Sequence, residues 1–294
     1  MLVLDKGVWI YMKNSIKEFV EGSYDLHVHS APSHVKRTID DIDLIKKAST
    51  YKMAGVLIKN HYEPTSGRSE LINTHFNFFT KAYGGVVLNS TVGGINPYAC
   101  ESVLKMGAKI VWLPTRDAEN SLRYGNMKGD FFNREGISVV DEKGKLIKSF
   151  KEVVEVVKKY DATLATGHIS LEESLKVCDY AIKKNVKVVL THPDWNRTKI
   201  PIDIQIDLGK KGVFIEKVWA NLDDGDCSAD EFLNVMNQLD FNNTFITTDR
   251  GYYTKKPPFE SLVDCIEFLI EKGVDGRNIE KILKITPKII VEGV

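Results

Sequence analysis

A chain of 294 residues, 43% of them hydrophobic, can bury a sizeable core and has the length of one α/β barrel. Forty basic residues balance forty acidic ones, which argues against nucleic acid or an anionic membrane as the main partner. The four cysteines (Cys100, Cys178, Cys227, Cys265) form no CxxC pair and read as reduced thiols of a cytoplasmic protein, not as a disulfide or zinc framework.

The chain opens MLVLDKGVWIYM, where Asp5 and Lys6 interrupt any signal-peptide pattern and Met12 offers an alternative start. Residues 1–22 read as an N-terminal extension and 23–294 as a single domain. No apolar run approaches the roughly 20 residues of a bilayer span. Short apolar runs then alternate with longer amphipathic stretches. Strands are expected at 23–29, 54–60, 85–91, 108–114, 162–168, 186–192, 212–218 and 244–249. Helices are expected between them, for example at 40–52, 149–160 and 170–185, the last with Ser170 and Glu173 at capping-box spacing. The aromatic run HFNFF at 75–79 reads as helix core. An insertion follows strand four at 115–148; within it ISVVDEKGKLIK reads as a hairpin turning at Lys143-Gly144. A connection this long usually has a task, and here it could cover an active site. The tail IEKILKITPKII reads as two helical turns broken by Pro287. Eight strands, each followed by a helix, predict an α/β fold of the (β/α)8 TIM type, and the lack of GxGxxG after the first strand disfavours a dinucleotide-binding open sheet.

In YDLHVHS (24–30) Asp25, His27 and His29 alternate with Leu26 and Val28, so a regular strand puts all three polar side chains on one face. Strand C-terminal ends converge on one rim of a barrel, where active sites sit. At those ends stand His27 and His29, Lys59 and His61, His168, His192 and Asp249. Five of the seven histidines choose this position; His34 and His75 are the exceptions and read as solvent-facing or packed. Neutral imidazoles bind zinc and other first-row divalent ions, and a carboxylate completes such a site. A cation with an open position brings the pKa of its water towards ~7, and Asp249 could take the released proton.

HxH on strand one, His on five, His on six and Asp on eight resembles the pattern of the amidohydrolase superfamily. ATGHIS, VVLTHPDW and ITTDRG resemble its strand five, six and eight ends. IEKILKITPKII is similar to the terminal helix of its phosphotriesterase and lactonase branch, with Thr286-Pro287 where Asn-Pro usually stands. The resemblance runs from about residue 23 to the end. It implies His27, His29, His168 and His192 as metal ligands and Asp249 as ligand and proton acceptor. It further implies one or two divalent ions, zinc first with manganese or iron as alternatives. Metal-bound hydroxide would then cleave an ester, lactone, amide or phosphoester of a small molecule. Strand four departs from the pattern: binuclear members carry a bridging carboxylated lysine or glutamate, whereas IVWLPTRD offers Trp112, Pro114 and Thr115. Lys59 and Glu216 are therefore candidate bridging groups, and Asp117 lies further into the loop. Asp25 is read as a group orienting a histidine from behind.

DLHVHS followed by VLIKNH also resembles the polymerase-and-histidinol-phosphatase family, whose members use several metals on phosphoesters. That reading would bring His61 into the metal shell. Against it, Asn60 stands where that family has aspartate, strand three ends LNST, and strand eight reads TDRG. A barrel that binds metal without turnover is the third reading. Arg37, Arg116, Arg123, Arg134 and Arg250 could meet an anionic substrate, Arg250 being the best placed beside Asp249. Neither nucleic acid nor membrane is expected as a partner, and a homo-oligomer stays open.

Overall fold

The computed structural model describes residues 14–131 and 134–293. In chain order it contains α1 (Asn14–Val20), β1 (Tyr24–Val28), α2 (Asp41–Thr50), β2 (Gly55–Ile58), α3 (Ser66–His75), β3 (Lys81–Val87), α4 (Pro97–Lys105) and β4 (Ile110–Trp112). There follow α5 (Glu119–Leu122), α6 (Lys148–Lys159), β5 (Thr163–Ala165), α7 (Leu171–Lys183), β6 (Lys187–Leu190), α8 (Ile202–Lys210) and β7 (Phe214–Val218). The last elements are α9 (Trp219–Asp223), α10 (Ala229–Gln238), β8 (Thr244–Thr247), α11 (Pro258–Glu271), α12 (Gly276–Glu280), a π-helical turn (Lys281–Ile285) and α13 (Thr286–Glu292).

The eight strands form one parallel sheet in sequential order. It closes through a Val28–Arg250 bridge, with Asp249 N–H donating to His27 O and Arg250 O accepting from His29 N–H, both at 2.9 Å. The fold is the (β/α)8 barrel that the strand count predicts. Inward residues such as Leu26, Leu57, Val87, Trp112, Val189 and Phe245 fill the barrel. Outward residues such as Val56, Val111, Val188 and Ile246 pack against the helices. The bottom is plugged by α13, whose Ile290 and Val291 join the inner core while Glu292 accepts hydrogen bonds from the Tyr24 and Tyr83 hydroxyls at 2.9 and 2.5 Å. Among the described residues no helix is long and apolar enough to cross a membrane.

Four local readings differ from expectation. Residues 14–20 of the supposed extension form α1, and its Ile16 and Val20 are buried in the outer core; residues 1–11 lie outside the described residues. The HFNFF run is not helix core: α3 ends at His75, where the Phe76 N–H closes on Ile72 O, and Phe76 and Phe79 are exposed in the turn leading to β3. The predicted hairpin shrinks to a single Val140–Leu146 bridge around a tight turn, with Gly144 N–H donating to Asp141 O at 2.8 Å. Pro287 does not break the terminal helix. An α-helical proline clashes with the carbonyl four residues back, and the wider π turn preceding α13 makes room for it. The capping box at the start of α7 is present as expected, Ser170 and Glu173 bonding reciprocally.

Candidate metal centre

The face assigned to Asp25, His27 and His29 needs correction. Asp25 pairs with Val56 and Val28 with Ile58, so three steps along β1 match two along β2. One extra residue in a strand flips the alternation. Tyr24 and Leu26 point inward, Asp25 and Val28 outward, and beyond the irregularity both imidazoles turn to the barrel rim. Asp25 therefore orients no imidazole. Its carboxylate accepts from the Thr248 hydroxyl (2.5 Å) and N–H (3.1 Å) and from the His27 N–H (3.3 Å), tying the ends of β1 and β8 together. Burial raises its pKa to about 6 against those three donors.

Five histidines meet at the rim. Ring centroids lie 5.4 Å apart for His27 and His29, 4.9 Å for His27 and His192, 5.3 Å for His168 and His192, and 4.7 Å for His29 and His61. Asp249 stands among them. Its Oδ1 is 3.0 Å from Nε2 of both His27 and His29, and its Oδ2 is 3.6 Å from His192 Nε2. His27, His29 and Asp249 offer three ligand atoms within 4.8 Å of one another. Both His192 (φ 52°) and Asp249 (φ 48°) occupy the left-handed backbone region, which costs a non-glycine residue of order 1–3 kcal/mol and clusters at functional sites. At Gly167, before His168, φ is 63° and a Cβ would meet Leu113 O at 2.3 Å, so only glycine brings this turn so close to β4.

Glu216, named as a candidate bridging group, meets His27 on its Nδ1 side, and its Oε2 keeps no partner among the described residues. It lies behind His27, its Oε1 accepting from His27 Nδ1–H at 2.8 Å and from the Thr247 hydroxyl at 2.9 Å. Lys59 does reach the centre, with Nζ 2.8 Å from His27 Nε2 and 5.3 Å above the Trp112 ring. His61 stands in the rim, its Nδ1 2.8 Å from the Thr115 hydroxyl, which Asn89 also contacts. Asn221 accepts from His192 Nδ1–H at 3.4 Å. Asp117 is withdrawn from the site, paired with Arg134 at 2.5 Å.

Burial pushes the pKa of His29, His61 and His168 well below the usual imidazole range, helped respectively by Arg37, Arg116 and His192. Burial also takes His192 down to about 4. His27 is the exception: burial and Lys59 oppose its protonation, but Asp249 and Glu216 outweigh them and hold it at about 8. Burial lowers Lys59 to about 8. Asp249 is held well below the carboxylate range, because His27 and His192 overcome its desolvation.

This constellation fits a cation. With His27 Nδ1–H given to Glu216, its Nε2 faces a carboxylate oxygen at 3.0 Å, an approach that either a proton on Nε2 or a neighbouring cation makes favourable. Lys59 supplies one, yet both ring nitrogens of buried His168 and Nδ1 of His29 keep no partner among the described residues. Buried polar atoms without partners are rare and call for a ligand. Nitrogen and carboxylate donors without thiolate form a set that divalent cations accept.

Above the rim opens a cavity of about 280 Å³, lined by His29, His61, His168, His192 and Asp249 below and by Arg116, Met127 and Lys128 of the insertion. The insertion is held down through Asp130, which accepts from Tyr62 OH (2.9 Å), Arg116 (3.2 Å) and Arg134 (2.8 Å). Trp195, three residues after His192, walls the cavity with its ring 4.9 Å from His168. Its place in THPDW was the available clue. Arg250 faces the cavity but is committed to Asp223 and Asp224.

The model of a family of unknown function, DUF6282, matches residues 22–216. The chain belongs to that family. The match takes in every rim histidine and stops short of Asp249. No curated protein matches. Among solved structures, an amidohydrolase from Pseudomonas aeruginosa superposes with a TM-score of 0.65 at 13% identity, covering 95% of this chain and 98% of that one. A probable dipeptidase, PvdM, from the same organism gives 0.57 at 11% identity, covering 95% and 97%. A 2,6-dihydroxybenzoate decarboxylase from Rhizobium gives 0.55 at 10%, covering 92% and 99%. At such identities the likeness is one of fold.

Proposed function

We propose that the chain is a metal-dependent hydrolase of amidohydrolase type. His27, His29 and Asp249 would hold a divalent cation, and His168 and His192 would complete that site or hold a second ion beside Lys59. The observation that carries this reading is one carboxylate shared by three imidazoles beneath a cavity, with His168 unpartnered beside them. The chemistry such a cation supplies is Lewis-acid polarisation of the scissile group and activation of water at neutral pH.

The protein's own groups do the rest. Asp249, its side chain 22% exposed towards the cavity, accepts the proton of the attacking water. Glu216 keeps the proton of His27 on Nδ1 and so aims Nε2 at the centre. The cavity of about 280 Å³ lies just under the roughly 300–1,000 Å³ of ligand pockets, so the substrate is small. Structural neighbours named as amidohydrolase, dipeptidase and decarboxylase support hydrolysis or carbon–carbon lysis on this scaffold; water consumption separates the two. The stacking of His61 on His29 favours a second reading, a multinuclear phosphoesterase with His61 as an added ligand. All four cysteines are free and buried, which supports a cytoplasmic location.

Elemental analysis of protein purified without chelator, beside His27→Ala and Asp249→Asn variants screened on lactones, amides and phosphoesters, tests the proposal. We expect one or two divalent ions in the wild type, loss of metal in His27→Ala, and a fall in turnover of about 10²-fold or more in Asp249→Asn. Wild-type protein that takes up no divalent ion from excess refutes the reading. Asp249→Asn with full metal and full turnover refutes the proton role.

A further inference from the structure

We propose that Arg37 receives an anionic group of the substrate, a carboxylate or a phosphate. The inference rests on the reading above in one respect, that the substrate occupies this cavity. Five cationic side chains face it: Arg37, Arg116, Lys128, Arg250 and Lys255. Four of them have occupations. Arg250 is paired with Asp223 and Asp224, and Lys255 with Asp224 at 2.8 Å. Arg116 donates to Lys128 O at 2.7 Å and meets Asp130 at 3.2 Å. Lys128 is exposed and lies over the Tyr253 ring.

Arg37 differs. Among the described residues no carboxylate lies within ion-pair distance of it, and its one hydrogen bond runs from Nε to the Ser33 hydroxyl at 3.3 Å. Both terminal nitrogens of the guanidinium, the fork that grips carboxylate and phosphate bidentately, are left over. The group is half-buried, the charge of Arg116 opposes its own, and Asp249, beyond ion-pair distance, only partly offsets this. A partly desolvated cation beside a second cation is costly unless an anion joins them.

The position is also a rigid one. Arg37 forms a backbone bridge with Tyr252, and Thr38 N–H donates to Gly251 O at 2.9 Å. At Gly251 (φ 130°) a Cβ would sit 1.6 Å from His29 O, so glycine alone allows the β1 loop and the β8 end to touch. Arg37 is thereby fixed beside the histidine pair of β1. Two other carboxylates of the cavity lining are already served, Asp224 by its cations and Asp226 by Asn196 and Asn221. Asp224 and Asp226 thus leave the Arg37 guanidinium without a carboxylate partner in the cavity. A substrate anion on Arg37 places the rest of the molecule over Asp249.

The test is calorimetric titration of benzoate, phenyl phosphate and neutral benzamide into wild type, Arg37→Gln and Arg37→Lys, each both metal-loaded and chelator-treated. Wild type should prefer an anion to benzamide, and benzoate against phenyl phosphate tells which oxyanion fits. Arg37→Gln should lose about 10- to 100-fold in anion affinity while benzamide binding is unmoved. Arg37→Lys, which keeps the charge but not the fork, should fall between, and it carries the test should the glutamine variant fold poorly. The proposal is overturned if Arg37→Gln and Arg37→Lys bind anions as wild type does. It is overturned as well if benzamide binds wild type as tightly as the anions, or if neither anion binds below about 10 mM. Metal content measured on the same samples keeps the two ideas apart. A wild type without metal ends the catalytic reading, whereas loss of the Arg37-dependent preference in chelator-treated protein ends this one.

Discussion

Exchanging Glu216 for glutamine removes one negative charge and almost no volume from behind His27. The carboxylate accepts the His27 Nδ1–H at 2.8 Å in a buried setting, and the Thr247 hydroxyl, 2.9 Å from the same oxygen, holds it in place. A hydrogen bond to a charged partner contributes about 1.5–3 kcal/mol. Loss of the outer partner of a ligating histidine weakens metal affinity about 10- to 100-fold, which is about 1.4–2.7 kcal/mol. The two figures coincide, so Glu216→Gln should weaken divalent-ion affinity by one to two orders of magnitude. Competition against a chromophoric chelator at neutral pH measures it, with urea unfolding in parallel to show the fold intact. Thr247→Val should have a smaller effect, since it removes only the brace on the carboxylate. Affinity within twofold of wild type in Glu216→Gln would refute the reasoning, because His27 would then need no fixed tautomer. Complete loss of metal from a folded variant would refute it in the other direction, making Glu216 a ligand.

Two further outcomes follow from buried charge. Lys217 and Asp194 form a buried pair at 2.5 Å beside the His192 turn, with Gln205 also donating to Asp194 at 3.2 Å. Their attraction of ~7 kcal/mol at an effective dielectric of 20 roughly offsets the desolvation of both ions. Asp194→Ala should therefore cost about 3–5 kcal/mol by stranding the ammonium, while a Lys217→Met/Asp194→Leu double variant should cost far less than the two single changes together. A urea double-mutant cycle checks this, and simple additivity would refute it. Asp25 supplies a pH signature. An acid whose folded pKa is raised favours the folded state fully below pH ~4, and that contribution, about 3 kcal/mol, is lost as pH rises through about 6. Asp25→Asn should flatten the stability profile across that window; a wild-type-to-variant difference that stays constant from pH 4 to about 6 would contradict the assignment.

Much of the architecture was legible in the primary structure because it rests on local regularity. Eight apolar runs at βα spacing point to a parallel sheet covered by helices, for which the count favours a barrel over an open doubly wound sheet; the closing contact of β1 with β8 is seen only in the structure. Five histidines and Asp249 at strand ends were legible for the same reason: the barrel gathers strand ends at one rim whatever the loops do. What the tertiary structure alone decided were matters of pairing. The extra residue in β1 emerges only from its register against β2, and it reverses the face of Asp25 while leaving His27 on the rim. Glu216 and Lys59 are both polar residues in apolar strands, yet one braces an imidazole from behind and the other enters the centre. Arg250 has the better sequence position, beside Asp249, but its charge is taken up by Asp223 and Asp224, while Arg37, distant in sequence, pairs with no carboxylate among the described residues. Periodicity belongs to a segment and can be read from it. A partner belongs to two segments at once, and only their packing into one volume selects which charges meet.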